Sequence, residues 1–281
     1  MYDKKISSFS AHTTGGILSR QYAAFYADEH TVIPEGFSKI MPEAFFRQIK
    51  IRSVRFPSTL TAVLPKAFGS CTGLREAVLP HGVRTLGTEA FAGCSSLRTV
   101  YLSDSLTVIR PGTFREDKRL ERALFTTRST LEQIGDYAFY NCSSLQFFLM
   151  PSGVRSVGRE AFGRCKGLQK VRFSKKLERI GPKAFYFCGV SSLALPPSLT
   201  VIEEKAFHRC FHLTEVRIPQ SVRRIGPQAF KGCDRLRTLE LLHDPDELGE
   251  DIVNRRTVIR CREGSAVDAY CRTHDCIAEY V

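Results

Sequence analysis

Ten cysteines and seven histidines are the residues of this 281-residue chain that could support metal binding, redox exchange or nucleophilic catalysis. The sequence contains no Cys-x-x-Cys pair, which excludes a zinc ribbon. His208 and His212 have a spacing that suits a metal on a helix, but no His-Glu-x-x-His motif is present. His274, Asp275 and Cys276 are consecutive, and adjacent side chains rarely converge on one reacting atom. We therefore expect no enzyme, metal or cofactor, and we expect both spaced histidines on the surface.

Seven of the cysteines follow a recurring phenylalanine by three residues. Nine such phenylalanines are separated by 23, 23, 23, 25, 23, 23, 22 and 23 residues. Self-similarity at a fixed period in this range predicts a solenoid, in which each coil stacks on its neighbours. The phenylalanines are Phe45, Phe68, Phe91, Phe114, Phe139, Phe162, Phe185, Phe207 and Phe230. The cysteines, which we expect to form a ladder of small buried thiols with no need to pair, are Cys71, Cys94, Cys142, Cys165, Cys188, Cys210 and Cys233.

The repeat unit has the form [VL]-x-x-[IVL]-G-x-x-A-F-x-x-C-x-x-L-x-x-V-x-[LF]-P. Its L-x-x-V-x-L part alternates apolar and free positions, which predicts a strand with one buried face. The G-x-x-A-F-x-x-C part starts with a glycine suited to a turn. Stacked coils would place like positions about 4.8 Å apart, so that phenylalanine packs on phenylalanine.

This repeat resembles the BspA-like leucine-rich repeat, a subclass common on bacterial surfaces and in some protists. The resemblance covers about Val32 to Leu242, and eight residue types recur in order. It implies a curved solenoid with parallel strands along the concave side, binding to proteins or host matrix, and no enzymatic activity.

The predicted fold class is α/β and β-rich, a leucine-rich-repeat solenoid of about nine 23-residue coils with parallel strands on the concave face and terminal caps. We divide the chain into an N-terminal cap or leader (1–31), the solenoid (32–243) and a C-terminal cap (244–281). In the C-terminal cap, Ser265 is a candidate N-cap for a short amphipathic helix. A final strand is expected from Ile277 to Val281.

The strand register predicts which side chains face the solvent, and one group of them is unexpectedly apolar. The apolar group comprises Val78, Tyr101, Leu124, Phe147 and Leu149, and it is surrounded by Arg55, Arg122, Lys170 and Arg172. A contiguous apolar patch with a charged rim is typical of an interaction site. Two alternatives stay open. A chain terminus or the extra residues of the 25-residue coil, around Thr126 to Thr130, could fold over the patch, or the apolar residues could reflect strand preference alone.

The function that these observations favour is a non-enzymatic protein-binding scaffold that uses the concave strand face. The partner would be a protein, for example a host-matrix or cell-surface protein, and self-association is a further option. The alternative is electrostatic binding of nucleic acid or another polyanion, since the net charge is +12. It would use Arg55, Arg98, Arg122, Lys170, Arg172, Arg217 and Arg237. Glu76, Glu215 and Glu240 on the same face argue against it.

The sequence also bears on the cell compartment. No signal-peptide core follows the two N-terminal lysines, and no apolar stretch reaches the ~18 residues of a membrane helix. The sequence as written therefore predicts a cytoplasmic protein with no membrane association. A cell-surface or secreted protein is expected instead if a signal peptide preceded this sequence and was removed.

Overall fold

The computed structural model describes residues 16–281, which form a mostly parallel β-solenoid of about 11 coils. Most coils add one strand to each of two parallel ladders, and short turns connect the two. The long-strand ladder consists of strands of three or four residues: β2 (His30–Val32), β4 (Ser53–Arg55), β6 (Glu76–Val78), β8 (Thr99–Tyr101), β10 (Arg122–Leu124), β12 (Phe147–Leu149), β14 (Lys170–Arg172), β17 (Glu215–Arg217), β19 (Thr238–Glu240), β21 (Val258–Cys261) and β22 (Ile277–Tyr280).

The short-strand ladder runs beside it and consists of two-residue strands. These are β1 (Ile17–Leu18), β3 (Lys39–Ile40), β5 (Ala62–Val63), β7 (Thr85–Leu86), β9 (Val108–Ile109), β11 (Gln133–Ile134), β13 (Ser156–Val157), β15 (Arg179–Ile180), β16 (Val201–Ile202), β18 (Arg224–Ile225) and β20 (Glu247–Leu248). Two helices lie at the ends of the described chain, α1 (Arg20–Tyr26) and α2 (Ala266–Thr273). No helix among residues 16–281 has the length and apolar character needed to cross a lipid bilayer.

The long-strand ladder is interrupted twice. Hydrogen bonds join β2 through β10 into one sheet, β12 and β14 into a second, and β17, β19, β21 and β22 into a third. The first interruption follows the 25-residue interval, whose two extra residues lie between β10 and β11. At the second, only an isolated bridge between Leu193 and Val216 remains. The face of this ladder is therefore divided into segments.

The nine repeat phenylalanines form the centre of the core. All nine are completely buried, and neighbouring rings stack with centroids 4.9–5.7 Å apart and planes within 15° of parallel. The expected packing of phenylalanine on phenylalanine is confirmed. Because no single coil can cover its own ring, the column makes each coil depend on its neighbours.

The seven repeat cysteines form the expected buried ladder of free thiols. Each thiol donates a hydrogen bond to the carbonyl oxygen of the repeat phenylalanine one coil earlier, at 2.8–3.2 Å. Burial raises the pKa of the thiol of Cys71 to about 12, which keeps it in the unreactive protonated form. The ladder is thus a hydrogen-bonding element of the fold.

The coil number of about nine was too low, because a further coil at each end lacks the phenylalanine. At the C-terminal end the N–H of Phe230 donates to the carbonyl of Ile252 at 2.8 Å, the same bond that Phe207 makes to Ala229. Ile252 and Val253 therefore replace the Ala-Phe pair, and both are buried. At the N-terminal end, β1 and β2 extend the two ladders. Residues 1–15 of the predicted N-terminal cap lie outside the described residues, and the division at 31 and 243 stays a prediction.

The C-terminal segment ends the solenoid with a helix and a strand, as predicted. The Ser265 hydroxyl caps α2 by accepting a hydrogen bond from the Asp268 N–H at 3.2 Å. The Asp268 carboxylate in turn accepts bonds from the Gly264 N–H at 3.0 Å and the Tyr280 hydroxyl at 3.1 Å. β22 then pairs with β21 and covers the last coil.

Candidate functional site

The outward face of the long-strand ladder is determined by strand alternation. In the three-residue strands the central side chain is buried, and most flanking side chains point into solvent. Four predicted patch residues are exposed: Val78 by 54%, Tyr101 by 40%, and Phe147 and Leu149 by 46% each. Leu124 is half-buried. Thr99, the first residue of β8, is buried although strand alternation directs it outward.

Parallel pairing places the apolar side chains next to one another. Val78 lies opposite Tyr101, and Tyr101 lies opposite Leu124. Phe147 and Leu149 stand on β12, the neighbouring strand beyond the first interruption of the ladder. We call the five residues Val78, Tyr101, Leu124, Phe147 and Leu149 the apolar patch.

Val32 extends the apolar character of this face and was missed in the sequence. It is 55% exposed and lies opposite Arg55. The signal was available, because Ile33-Pro34 aligns with Leu79-Pro80 and so places Val32 in the register of Val78. It was overlooked because the coil before it has no repeat phenylalanine.

The residues from Thr126 to Thr130 bind the preceding coil. Thr130 donates through its hydroxyl and its N–H to the carbonyl of Asp104, at 2.7 and 2.9 Å, and the Thr126 hydroxyl donates to the Asp104 carboxylate. The C-terminus is held at the far end of the ladder, where the Val281 N–H donates to Cys261. With both segments in place, Tyr101 is still 40% exposed and Leu149 is still 46% exposed.

The cations around the apolar patch are exposed, and they lack close carboxylate partners in the described part of the chain. Arg172 lies opposite Leu149, and Lys170 lies opposite Phe147. Within residues 16–281, neither these two nor Arg122 or Arg55 forms an ion pair. Arg55 does act at longer range on Glu35, whose pKa is lowered mainly by hydrogen bonds from Ser58 and further by this arginine.

The far part of the same face has paired charges. Arg217 contacts Glu240 at 2.8 Å, and Arg260 contacts Glu279 at 3.1 Å. Near the second interruption lies a depression of about 310 Å³, and its polar lining is formed by Ser191, Ser192, Thr214, Glu215, Arg217, Thr238, Glu240 and Arg260. We call the outward residues of β17, β19 and β21 the polar segment.

These ion pairs also weaken the case for the alternative function, electrostatic binding of a polyanion. Of its seven cations, Arg98 contacts Glu121 at 3.7 Å and Arg217 contacts Glu240. Their charges are therefore partly neutralised before any ligand arrives. The remaining members of that set do not form one continuous basic track, because the apolar patch lies among them.

Candidate catalytic and metal residues do not assemble within the described residues. No group of three His, Cys, Asp or Glu side chains among residues 16–281 could hold a metal ion. Nδ1 of His274 faces the carbonyl of Tyr270 at 3.0 Å, and the Cys276 thiol faces the carbonyl of His274, so no thiol–imidazole pair forms.

The expectation that both spaced histidines are exposed was wrong for His208. Its ring is half-buried and stacks on Tyr186 with centroids 5.8 Å apart, whereas His212 is exposed. Burial, followed by the nearby Arg209, lowers the pKa of His208 and keeps it neutral. The signal was available in the sequence, because Tyr186 and His208 each follow a repeat phenylalanine by one residue and so occupy like positions on adjacent coils.

Comparison with known proteins identifies the repeat. The family model described as a BspA type Leucine rich repeat region matches in six copies over residues 21–145 and 132–258. A comparison with curated proteins returned no match. Among solved structures, the pneumococcal vaccine antigen PcpA is 17% identical with a TM-score of 0.48, over 90% of this chain and 79% of that one. A leucine rich cell surface protein from Faecalibacterium prausnitzii is 18% identical with a TM-score of 0.42, over 90% and 86%. The Treponema pallidum (T. pallidum) leucine-rich-repeat protein is 20% identical with a TM-score of 0.42, over 90% and 86%.

Proposed function

The chain belongs to the BspA-type leucine-rich repeat family, and we propose that it is a non-enzymatic scaffold that binds a protein through the apolar patch. The observation that supports the proposal is the exposure of Val78, Tyr101, Phe147 and Leu149 on neighbouring strands of one face. Outward strand positions are normally polar, and a contiguous apolar group of this kind marks an interaction site. Leucine-rich repeats commonly serve as protein-binding surfaces, and this fold-level analogy adds to the same proposal.

The proposed mechanism is complementarity on a preformed frame. The buried phenylalanine column and the thiol hydrogen bonds hold the strands before any partner arrives. Little backbone entropy is therefore lost on binding. The free energy gained by burying the exposed aromatic and aliphatic side chains then contributes more fully to affinity. The half-buried Leu124 lies in the centre of the patch, where water exclusion has the largest effect.

The partner that we propose is a host-matrix or cell-surface protein, which would place this chain at the cell surface or outside the cell. Self-association through the same patch is the second candidate, because an exposed apolar face can also cover a second copy. Sedimentation measurements over a range of concentrations separate the two. A dimer that Leu149→Asp dissociates would favour self-association.

The test is a capture experiment with a matched control on the same face. The double variant Leu124→Asp, Leu149→Asp is compared with the parent chain and with a control double variant, Ser192→Asp, Thr238→Asp. Thr238 lies in the polar segment, and Ser192 lies beside it. Proteins captured from host-matrix extract are identified, purified and titrated directly against each chain at low and high salt. Binding by the parent and the control, with loss in the patch variant at unchanged melting temperature, is the expected result.

Two results would contradict the proposal. Equal binding by all three chains would place the site elsewhere. Capture of nucleic acid or polyanions alone, with affinity that falls steeply as salt rises, would favour the electrostatic alternative.

A further inference from the structure

On the basis of the proposed function, we infer that the partner's contact segment is acidic as well as apolar. The segment would carry carboxylates beside leucine, phenylalanine or similar side chains. The partner segment is expected to be apolar because many of the exposed large apolar side chains lie together on this face. Among the described residues, eleven large apolar side chains are exposed, and five of these lie on the first part of this face: Val32, Val78, Tyr101, Phe147 and Leu149.

The acidic requirement follows from the position of the cations. Arg172 and Lys170 stand directly opposite Leu149 and Phe147 on adjacent strands, so a partner that covers these apolar side chains must also approach both cations. Neither cation has an ion-pair partner within residues 16–281. Desolvation of an unpaired charge beneath a neutral partner is unfavourable, whereas a carboxylate on the partner offsets it.

A partner protein fits this surface better than a polyanion. Nucleic acid would satisfy Arg122, Lys170 and Arg172, but its backbone offers nothing that covers the aliphatic Val78 and Leu149. An acidic and apolar protein segment satisfies both the charges and the apolar side chains.

The test selects binders without assuming their sequence. A display library of random peptides is selected on the immobilised full chain. The recovered pools are then measured against the parent, Leu149→Ser, and the double variant Arg122→Gln, Arg172→Gln. Peptides enriched in Asp or Glu together with Leu, Phe or Tyr are expected. Each arginine removed should weaken them about 2- to 5-fold, in line with exposed charge pairs.

The outcomes separate this inference from the proposed function. Neutral or basic peptides that bind the parent and are lost on Leu149→Ser would overturn the acidic chemistry while leaving the patch as a protein-binding site. Failure to enrich any peptide that Leu149→Ser weakens would overturn both. Displacement of the enriched peptides by single-stranded DNA, with no loss on Leu149→Ser, would indicate a polyanion site instead.

An independent observation concerns a gap in the buried thiol ladder. Position 117 follows the repeat Phe114 by three residues but holds an aspartate, which is completely buried. Every repeat phenylalanine carbonyl from Phe45 to Phe207 accepts a thiol hydrogen bond from the next coil except Phe91, which precedes Asp117. Oδ1 of Asp117 accepts the Cys94 N–H at 2.7 Å, while no donor among the described residues reaches Oδ2.

We infer that the Asp117 carboxyl is protonated in the folded chain and replaces the missing thiol by donating from Oδ2 to the Phe91 carbonyl. A buried ionised carboxylate would need a cation. The titratable groups that face it are the thiols of Cys94 and Cys142 on the adjacent coils and Glu116 beside it in the chain. Lys118 is directed to Glu116 at 3.8 Å.

The protonated state makes the centre of the solenoid sensitive to alkali. Burial, the largest cause, raises the pKa of Asp117 well above its ordinary value. The folded chain then binds a proton that the unfolded chain has already released. The stabilising contribution is therefore complete below the ordinary pKa of aspartate and declines as pH rises toward the folded pKa. This direction is opposite to that of an ion-paired carboxylate.

Melting temperatures between about pH 5 and about pH 9 test the inference on the parent, Asp117→Asn and Asp117→Cys. Both substitutions can donate to Phe91 without ionising at neutral pH. We expect the parent to lose several degrees across this range relative to the two variants. The exposed control Asp234→Asn should retain the parent profile. Identical profiles in all four chains would overturn the inference.

A direct readout does not depend on the folding of the variants. A buried protonated carboxyl gives an infrared C=O band that persists in the parent well above the pH at which exposed aspartates ionise. Absence of that band at about pH 6 would overturn the inference.

Discussion

The long-strand ladder has one backbone geometry and two different faces. Around β6 to β12 four large apolar side chains are exposed among its outward residues, and the cations beside them form no ion pair among residues 16–281. Along β17 to β21 the outward residues are mostly polar, and Arg217 and Arg260 each contact a glutamate. The inward residues of both stretches are buried apolar side chains, mostly aliphatic, with Phe148 as the aromatic exception. The repeat sequence therefore determines the core of every coil, whereas the outward residues vary from coil to coil.

Under the proposed function, this difference marks the stretch of the scaffold on which recognition would depend. A surface that only needs solubility can pair its charges along the strands, as the polar segment does. The first stretch instead has exposed leucine, tyrosine and phenylalanine beside cations with no ion-pair partner among residues 16–281. This arrangement gives the isolated chain no more solubility or stability than a surface of paired charges would. The first stretch is therefore the part of the face on which binding should depend, and the polar segment is its internal control.

The largest expected effect is on the free energy of unfolding. It comes from substitutions in the core and should be equal in the two stretches. Phe139→Ala and Phe207→Ala each remove a completely buried ring from the stacked column. We expect each to lower the free energy of unfolding by about 3–5 kcal/mol, because the cavity interrupts stacking between coils. Urea unfolding monitored by circular dichroism measures both, with the exposed Phe147→Ser as control. A much smaller loss for one of the two would contradict the equivalence of the core.

A second effect should separate the two stretches clearly. Tyr101→Ala removes the central aromatic side chain of the apolar patch and should weaken partner binding by on the order of 2 kcal/mol, as expected for a hot-spot tyrosine. Thr238→Ala in the polar segment should leave affinity unchanged. Titration calorimetry with a captured partner or a selected peptide makes the comparison. Equal losses for both variants would mean that binding uses the whole face.

Much of this fold could be predicted because the repeat contains its own register. The phenylalanine period and the L-x-x-V-x-L alternation identified the stacked rings, the buried thiols and most outward residues. The end coils were harder, because Ile252-Val253 replaces Ala-Phe and the helix α1 replaces a turn. A terminal coil packs against only one neighbour, so its sequence can depart from the repeat.

The repeat glycine was predicted for a different physical reason from the one observed. Gly87 does not adopt a left-handed backbone; instead, a Cβ atom at this position would lie 2.3 Å from the Pro65 nitrogen of the preceding coil. Close approach of stacked coils is a tertiary property, and a single repeat does not reveal it. Of the ion pairs in and beside the polar segment, Arg217–Glu240 joins like positions of adjacent coils and follows from the register. Arg260–Glu279 lies in the end coils, where the repeat spacing is lost, so the sequence showed its charges but not its pairing.

The C-terminal end beyond the polar segment should be sensitive to acid. The Gly264 N–H, which makes the largest contribution, together with Tyr280 and Arg272, lowers the pKa of Asp268. Its stabilising contribution is therefore present above the ordinary pKa of aspartate and is lost as pH falls through the folded pKa. The protection factors of α2 and β22 amides, which are exchange rates corrected for the intrinsic rate at each pH, should decrease at low pH in the parent. Asp268→Asn should show the lower protection already at neutral pH, whereas the exposed Asp234→Asn should not.

The smallest expected effect is on stability and concerns the charges themselves. A double-mutant cycle with Arg217→Gln and Glu240→Gln should give a coupling of about 0.2–1 kcal/mol that declines with salt, since Arg217 is largely exposed. Arg172→Gln at the equivalent position beside the apolar patch should leave the free energy of unfolding unchanged, because no carboxylate among residues 16–281 pairs with Arg172. A clear destabilisation by Arg172→Gln would show that this arginine supports the fold. Its unpaired charge could then no longer be assigned to recognition, and the contrast between the two stretches would rest on the apolar side chains alone.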